Sequence, residues 1–109
     1  MSLDVEKKFS ENENKWVFTP NGEIDIYTSP DFKKTILDTF EEKESDILID
    51  CINLEYVDST GLGALIYILK KLKEKEYQIY LSNMKPNIRK LFDITKLDKL
   101  FIIRGEVDE

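Results

Sequence analysis

Apolar and polar positions alternate in two rhythms along this chain. Residues 3–9 partly alternate, which predicts an edge strand. Glu11-Asn12-Glu13-Asn14 reads as a turn. Trp16-Val17-Phe18-Thr19, aromatic and β-branched, reads as a second strand that closes an antiparallel hairpin. Pro20-Asn21-Gly22 is punctuation, and residues 23–27 are partly extended. Ser29-Pro30-Asp31 then has the marks of a helix start: a hydroxyl N-cap, proline at the first helical position and an acid in the first turn. Phe32, Ile36, Leu37 and Phe40 share one face of that helix, which should end near Lys43.

Residues 47–52 are almost continuously apolar, the pattern of a central parallel strand covered on both faces. Leu62, Leu65, Ile66, Leu69 and Leu72 recur at helical spacing and predict a helix over 60–75. A strand over 77–81 follows. A third helix opens between Asn83 and Pro86 with Ile88, Leu91 and Phe92 inward, and a short strand over 100–103 precedes a polar tail. The predicted order is β-β-α-β-α-β-α-β. Strands and helices alternating after a hairpin argue for one α/β domain over 1–109, with crossovers onto a mixed, mostly parallel sheet.

Composition narrows the function. With 109 residues, 41% hydrophobic and 35% charged, the chain has the balance of a folded domain. No apolar leader opens it, and its longest near-apolar run, 62–69, is too short to cross a bilayer. Its single cysteine, Cys51, lies inside an apolar run and reads as a small buried hydrophobe, consistent with a reducing cytoplasm. The formal charge is -6, with lysines interleaved among acids, so direct contact with nucleic acid or an anionic membrane is not expected.

Chemistry concentrates at Tyr56-Val57-Asp58-Ser59-Thr60-Gly61-Leu62-Gly63, between the apolar strand and the second helix. The plain role of Ser59 there is the N-cap, its hydroxyl accepting an N–H near Leu62, with Gly61 and Gly63 letting the turn approach neighbouring backbone. A catalytic serine needs a base, and the chain has no histidine. The glycine spacing fits neither G-x-x-x-x-G-K-[ST] nor G-x-G-x-x-G, and one thiol with no imidazole makes no zinc site. Asp50 ends a strand as a phosphoaccepting aspartate would, but the acidic pair expected after a first parallel strand is missing. No cofactor, metal or catalytic residue is expected, so the chain does not read as an enzyme. What remains is Ser59 as a substrate. A phosphate there would meet the free N–H groups and dipole of a helix start, and would repel a partner docked beside Asp58.

These residues resemble the D-S-[ST]-G-L-G signature of bacterial anti-sigma-factor antagonists, small STAS-domain proteins. Gly22-Glu23-Ile24-Asp25 is similar to that family's G-E-[LI]-D, and residues 89–97 to its R-L-F-D-[IM]-[ST]-x-L segment. The resemblance implies a STAS fold and partner switching. The unmodified protein would bind an anti-sigma factor with GHKL-type serine kinase activity and so free a sigma factor. Phosphorylation of Ser59 would end that binding, and a PP2C-type phosphatase would restore it. It implies a partner surface of Asp25, Ile26, Tyr27, Asp58, Ser59, Thr60, Gly61 and Gly63, on a cytoplasmic protein expected to be a monomer in isolation. Thr60 is a second possible acceptor, and Asp25 also reads as a loop-capping acid. STAS domains serve as well as non-catalytic subunits of lipid-transport or stress-signalling complexes. One departure stands out: Lys96 occupies a position where the family commonly has glycine.

Overall fold

The longest strand organises the sheet. In a computed structural model describing residues 2–104, β2 spans Lys15–Ile24, and its residues 15–22 pair antiparallel with the whole of β1, Leu3–Ser10. On its other side β2 has two successive parallel partners. Its first half pairs with β3, Asp46–Asp50, and its last residues with β4, Leu54–Val57. β5, Ile79–Ser82, lies beside β3, and β6, Ile102–Arg104, beside β5, both parallel. The helices are α1, Ser29–Glu42, α2, Ser59–Glu74, and α3, Pro86–Ile94, and a 3-10 turn, Leu97–Lys99, leads into β6. This is an α/β fold with an N-terminal hairpin and a mostly parallel sheet, as the alternation of patterns predicts.

The helices bury the residues that the periodicity picks out. Phe32, Ile36 and Phe40 of α1, Leu62, Leu65, Leu69 and Leu72 of α2, and Ile88 and Phe92 of α3 join one cluster with Phe18, Ile47, Ile49, Ile79 and Leu81 of the strands. Leu37, Ile66 and Leu91 pack at its margin. Cys51 belongs to the same cluster, and burial pushes its thiol up to about 12, with the nearby Asp50 charge adding to the shift. It is a protonated, inert core group at neutral pH.

Four expectations are corrected. First, residues 20–22 do not break the chain: β2 runs through them. Thr19–Asn21 is the stretch of β2 that pairs with neither β3 nor β4, and a register shift follows between Gly22 and Glu23, so Pro20 sits where a ladder is already irregular. Gly22 has φ +128°, and a Cβ there would meet the Ser2 carbonyl oxygen. Second, β4 was not visible in the pattern, because its burial runs buried-exposed-exposed-buried and lacks alternation. Third, the strand predicted over 77–81 starts later, at Ile79, and the last strand starts at Ile102 because residues 97–99 take the 3-10 turn. The polar tail beyond Arg104 lies outside the described residues.

The fourth correction concerns β3. Ile47 and Ile49 face the helices, but Leu48 is outside their cluster, and its ladder neighbours are Val17 and Tyr80. Among the described residues all three helices serve one face of the sheet. On the other face the sheet covers itself with long polar side chains. The Lys15 ammonium stands 4.6 Å from the centre of the Tyr80 ring and the Arg104 guanidinium 5.3 Å from it. Both cations meet Glu13, Arg104 at 2.7 Å and Lys15 at 3.3 Å. The Arg104 hydrogen bond is the main reason that the Glu13 carboxyl titrates below its usual range.

Lys96, where the resembling family commonly has glycine, keeps the left-handed conformation with φ 63° and ψ 19°. An L-residue there costs about 1 kcal/mol that glycine avoids. Lys96→Gly is therefore expected to raise stability by roughly 0.5 kcal/mol, after the entropy that glycine adds to the unfolded chain. Urea unfolding would register this as a higher midpoint at unchanged slope.

Candidate functional site

The site forms where the end of β2, the loop after it, β4 and the start of α2 converge. α2 starts at Ser59, so the N-cap is Asp58, with extended backbone at φ -99° and ψ -174°. This corrects the expectation that Ser59 caps the helix. The Asp58 Oδ1 accepts from the Gly61 N–H at 2.8 Å, and Oδ2 accepts from the Ile26 N–H at 3.2 Å. Aspartate is as good a cap as serine and has a second oxygen to spare. One side chain thus closes the helix start and ties it to the loop after β2. The Asp58 N–H also donates to the Ile24 carbonyl at 3.2 Å, and the Leu62 N–H to the Asp58 carbonyl at 2.9 Å.

Gly61 is the reason that the two segments can meet. A Cβ at Gly61 would lie 2.4 Å from the Ile24 carbonyl oxygen and 2.9 Å from Val57 Cγ1. Gly63 was expected to serve the same close approach, but a Cβ there would meet nothing within 4 Å. It leaves a bare, exposed spot on the first turns of α2.

The loop between β2 and α1 is built around Asp25, which is only 4% exposed. Its Oδ1 accepts from the N–H groups of Tyr27 and Thr28, at 2.9 and 3.0 Å. Its own N–H donates to the Thr28 hydroxyl at 2.9 Å, and that hydroxyl donates to the Glu23 carbonyl at 2.7 Å. The Ser29 hydroxyl donates back to the Asp25 carbonyl instead of capping α1, whose N-cap is Thr28, without a side-chain bond. The carboxylate of Asp25 is therefore spent inside the loop as a capping acid and is not a surface group. What the loop presents is Ile26, 59% exposed, and Tyr27, 79% exposed.

Beside them stand the exposed side chains of Ser59 and Thr60 on α2. The Ile26–Asp58 bond sets Ile26 beside the start of α2, where Ser59, Thr60 and Gly63 are exposed, while Tyr27 lines a cavity with Leu3, Asp31 and Thr35; Asp25 and Gly61 support the loop and the helix start from within. Two neighbours escaped the sequence reading. Tyr56 on β4 is 48% exposed and adds a third large apolar group. Glu23, opposite Tyr56 in the ladder, has a buried Oε1 with no hydrogen-bond partner. Tyr56 opens the run that the sequence singles out, but its residue type alone did not assign it to a partner surface; nothing in the pattern flagged Glu23 beyond its place in the Gly22–Asp25 stretch.

The arrangement offers an exposed serine on the first turn of a helix whose start is tied to the neighbouring loop by Asp58. Among the described residues, no group of three or more His, Cys, Asp or Glu side chains could hold a metal ion, and no helix is long and apolar enough to cross a membrane. Asp50 uses its Oδ1 to accept from the Ile52 N–H at 3.2 Å and the Asn83 amide at 3.0 Å.

Comparison with known proteins gives a consistent picture. Residues 6–109 match the family model of the STAS domain. The anti-sigma-B factor antagonist of Listeria monocytogenes is 32% identical over 106 residues, covering 96% of this chain and 91% of the relative. An anti-sigma factor antagonist from Mycobacterium paratuberculosis superposes with a TM-score of 0.84 at 24% identity, over 98% of this chain and 89% of that one. The Bacillus cell fate determinant SpoIIAA in its phosphorylated form does so at 0.69 and 21% identity, over 96% and 93%. These two structures speak for the fold alone.

Proposed function

The chain belongs to the STAS domain family, among relatives that are anti-sigma factor antagonists, and on that premise we propose that it is a phosphorylation-gated antagonist of an anti-sigma factor. The unmodified protein docks on the anti-sigma factor through Ile26, Tyr27, Tyr56, Thr60 and the bare Gly63, and that docking releases a sigma factor. Ser59 is the switch. The observation that carries this reading is the exposed Ser59 hydroxyl on the first turn of a helix whose cap is a different residue, Asp58. The hydroxyl can be modified without removing any bond that holds the fold.

The partner is a serine kinase of the GHKL type. The Ser59 Oγ attacks the γ-phosphorus of ATP, the bond from that phosphorus to the ADP oxygen breaks, and the serine proton passes to a base on the kinase. No base on this chain is required, which agrees with the absence of histidine. The product carries roughly -1.5 to -2 of charge. Asp58 already occupies the Gly61 and Leu62 N–H groups, so the Ser59 and Thr60 N–H groups of the first turn are left for the phosphate. The fold accommodates the anion; a partner seated over the same spot would have to bury it beside Asp58, and lets go. A PP2C-type phosphatase, with divalent metal on the phosphatase, hydrolyses the phosphoserine with water and resets the switch. The exchange takes place in the cytoplasm, between monomers of this chain and its partners, without contact to DNA.

Incubation with the cognate kinase and ATP should add one phosphate, found by mass spectrometry on the peptide that holds Ser59. Modification of Thr60 with Ser59 untouched would overturn the assignment.

A further inference from the structure

α2 carries the switch at its start, and its far half lines a different feature. Ile66, Leu69, Lys70, Lys73 and Glu74 form one wall of a groove of about 560 Å3, and Leu100, at the exit of the 3-10 turn, forms the other. The floor is apolar, and Leu100 is 48% exposed although it is a large aliphatic side chain. The helical residues follow one another at three- and four-residue steps, so they make a continuous stripe about 10 Å long.

The charges on the lip are unspent. Lys34, Lys75 and Lys85 each meet a carboxylate, on Asp38, Glu44 and Glu55. Lys70 and Lys73 meet none among the described residues. With Glu74 counted, the groove wall still carries two cations against one anion beside an apolar floor, a local reversal of sign in a chain with 22 acidic and 16 basic residues. They complement an acidic partner and repel a basic one.

We propose that this groove docks an acidic amphipathic helix of a partner protein. Leucine- or isoleucine-type side chains of that helix sit between Leu100 and the Ile66–Leu69 wall, and its carboxylates face Lys70 and Lys73. A helix laid into an apolar groove is read as anchors at i, i+3, i+4 and i+7, which matches the length of the stripe. The groove starts about 10 Å beyond Ser59 along α2, so its occupancy does not depend on the phosphorylation state of that residue. The chain would then hold two proteins at once: one released by the switch and one retained through it.

The test uses the full chain, isotope-labelled, and two synthetic helical peptides. Both carry leucines at i, i+3, i+4 and i+7; one has glutamates on its flanks and its twin has lysines. The glutamate peptide is expected to move the methyl signals of Ile66, Leu69 and Leu100, and the lysine twin to bind at least tenfold more weakly. Leu100→Glu should weaken the glutamate peptide at least tenfold, Lys70→Glu with Lys73→Glu should reverse the preference, and Ser59→Asp should leave it unchanged. Still signals in the groove, equal binding of the twins, or shifts centred on Ile26, Tyr27 and Tyr56 would each overturn the proposal. So would groove signals that move with the concentration of the free chain, which would make a second copy the occupant.

Discussion

Ser59→Asp is expected to weaken binding to the anti-sigma factor by about 100-fold, on the order of 3 kcal/mol, while its melting temperature stays within a few degrees of wild type. The two halves of this expectation have separate causes. Binding falls because a permanent carboxylate joins Asp58 under a docked partner, and a buried unpaired charge is costly. Stability holds because the exposed Ser59 side chain caps nothing; the bonds that start α2 belong to Asp58. An acid in the first turn of a helix is even mildly favourable. Ser59→Ala, for the same reason, should bind like wild type, keep its stability and resist phosphorylation. Titration calorimetry with the kinase and thermal unfolding of each variant decide the matter. If Ser59→Asp bound as tightly as wild type, exclusion by charge would be wrong.

Gly61→Ala is expected to cost about 2–4 kcal/mol, lowering the melting temperature by 10 °C or more for a domain of this size. The added methyl would press on the Ile24 carbonyl, which is backbone and bonded to Asp58, so neither side gives way cheaply. Separating the two segments would also break the Ile26–Asp58 bond and with it the docking surface. Gly63→Ala is the internal control. It enters open space in a helix, where alanine is better than glycine by roughly 0.5–1 kcal/mol, so it should stabilise the fold. Its binding to the partner should nevertheless fall, because the bare spot is filled. Urea unfolding separates the pair, and a Gly61→Ala protein as stable as wild type would refute the close approach.

The two glycines show how much of the site was legible in the sequence and where reading stops. Residue type announced the motif, its place between a strand and a helix, and the exposed serine. It could not say which of the adjacent Asp58 and Ser59 would cap, because both residue types serve and the choice rests on a one-residue shift of the helix start. It could not separate Gly61 from Gly63 either, since only the position of the Ile24 carbonyl, 37 residues earlier by numbering, distinguishes them. Asp25 illustrates the same limit: its residue type allowed both a partner-surface role and a loop-capping one, and only three dimensions decide for the second. The fold was more open to reading, because periodicity is local and burial follows it. β4 escaped because four residues with their buried positions at the two ends carry no period at all.

The order of strands β1, β2, β3, β5 and β6 across the sheet follows their order along the chain, and this bears on how the molecule assembles. Each new parallel strand lands beside one already laid down, so a nascent chain can add layers in the sequence in which they leave the ribosome. Loop closures stay short until the end. The contact of Arg104 with Glu13, across 91 positions, spans nearly the whole described chain and can form only when the last strand is home. A contact made that late contributes to unfolding more than to folding, and for a pair this exposed the contribution is about 1 kcal/mol at most.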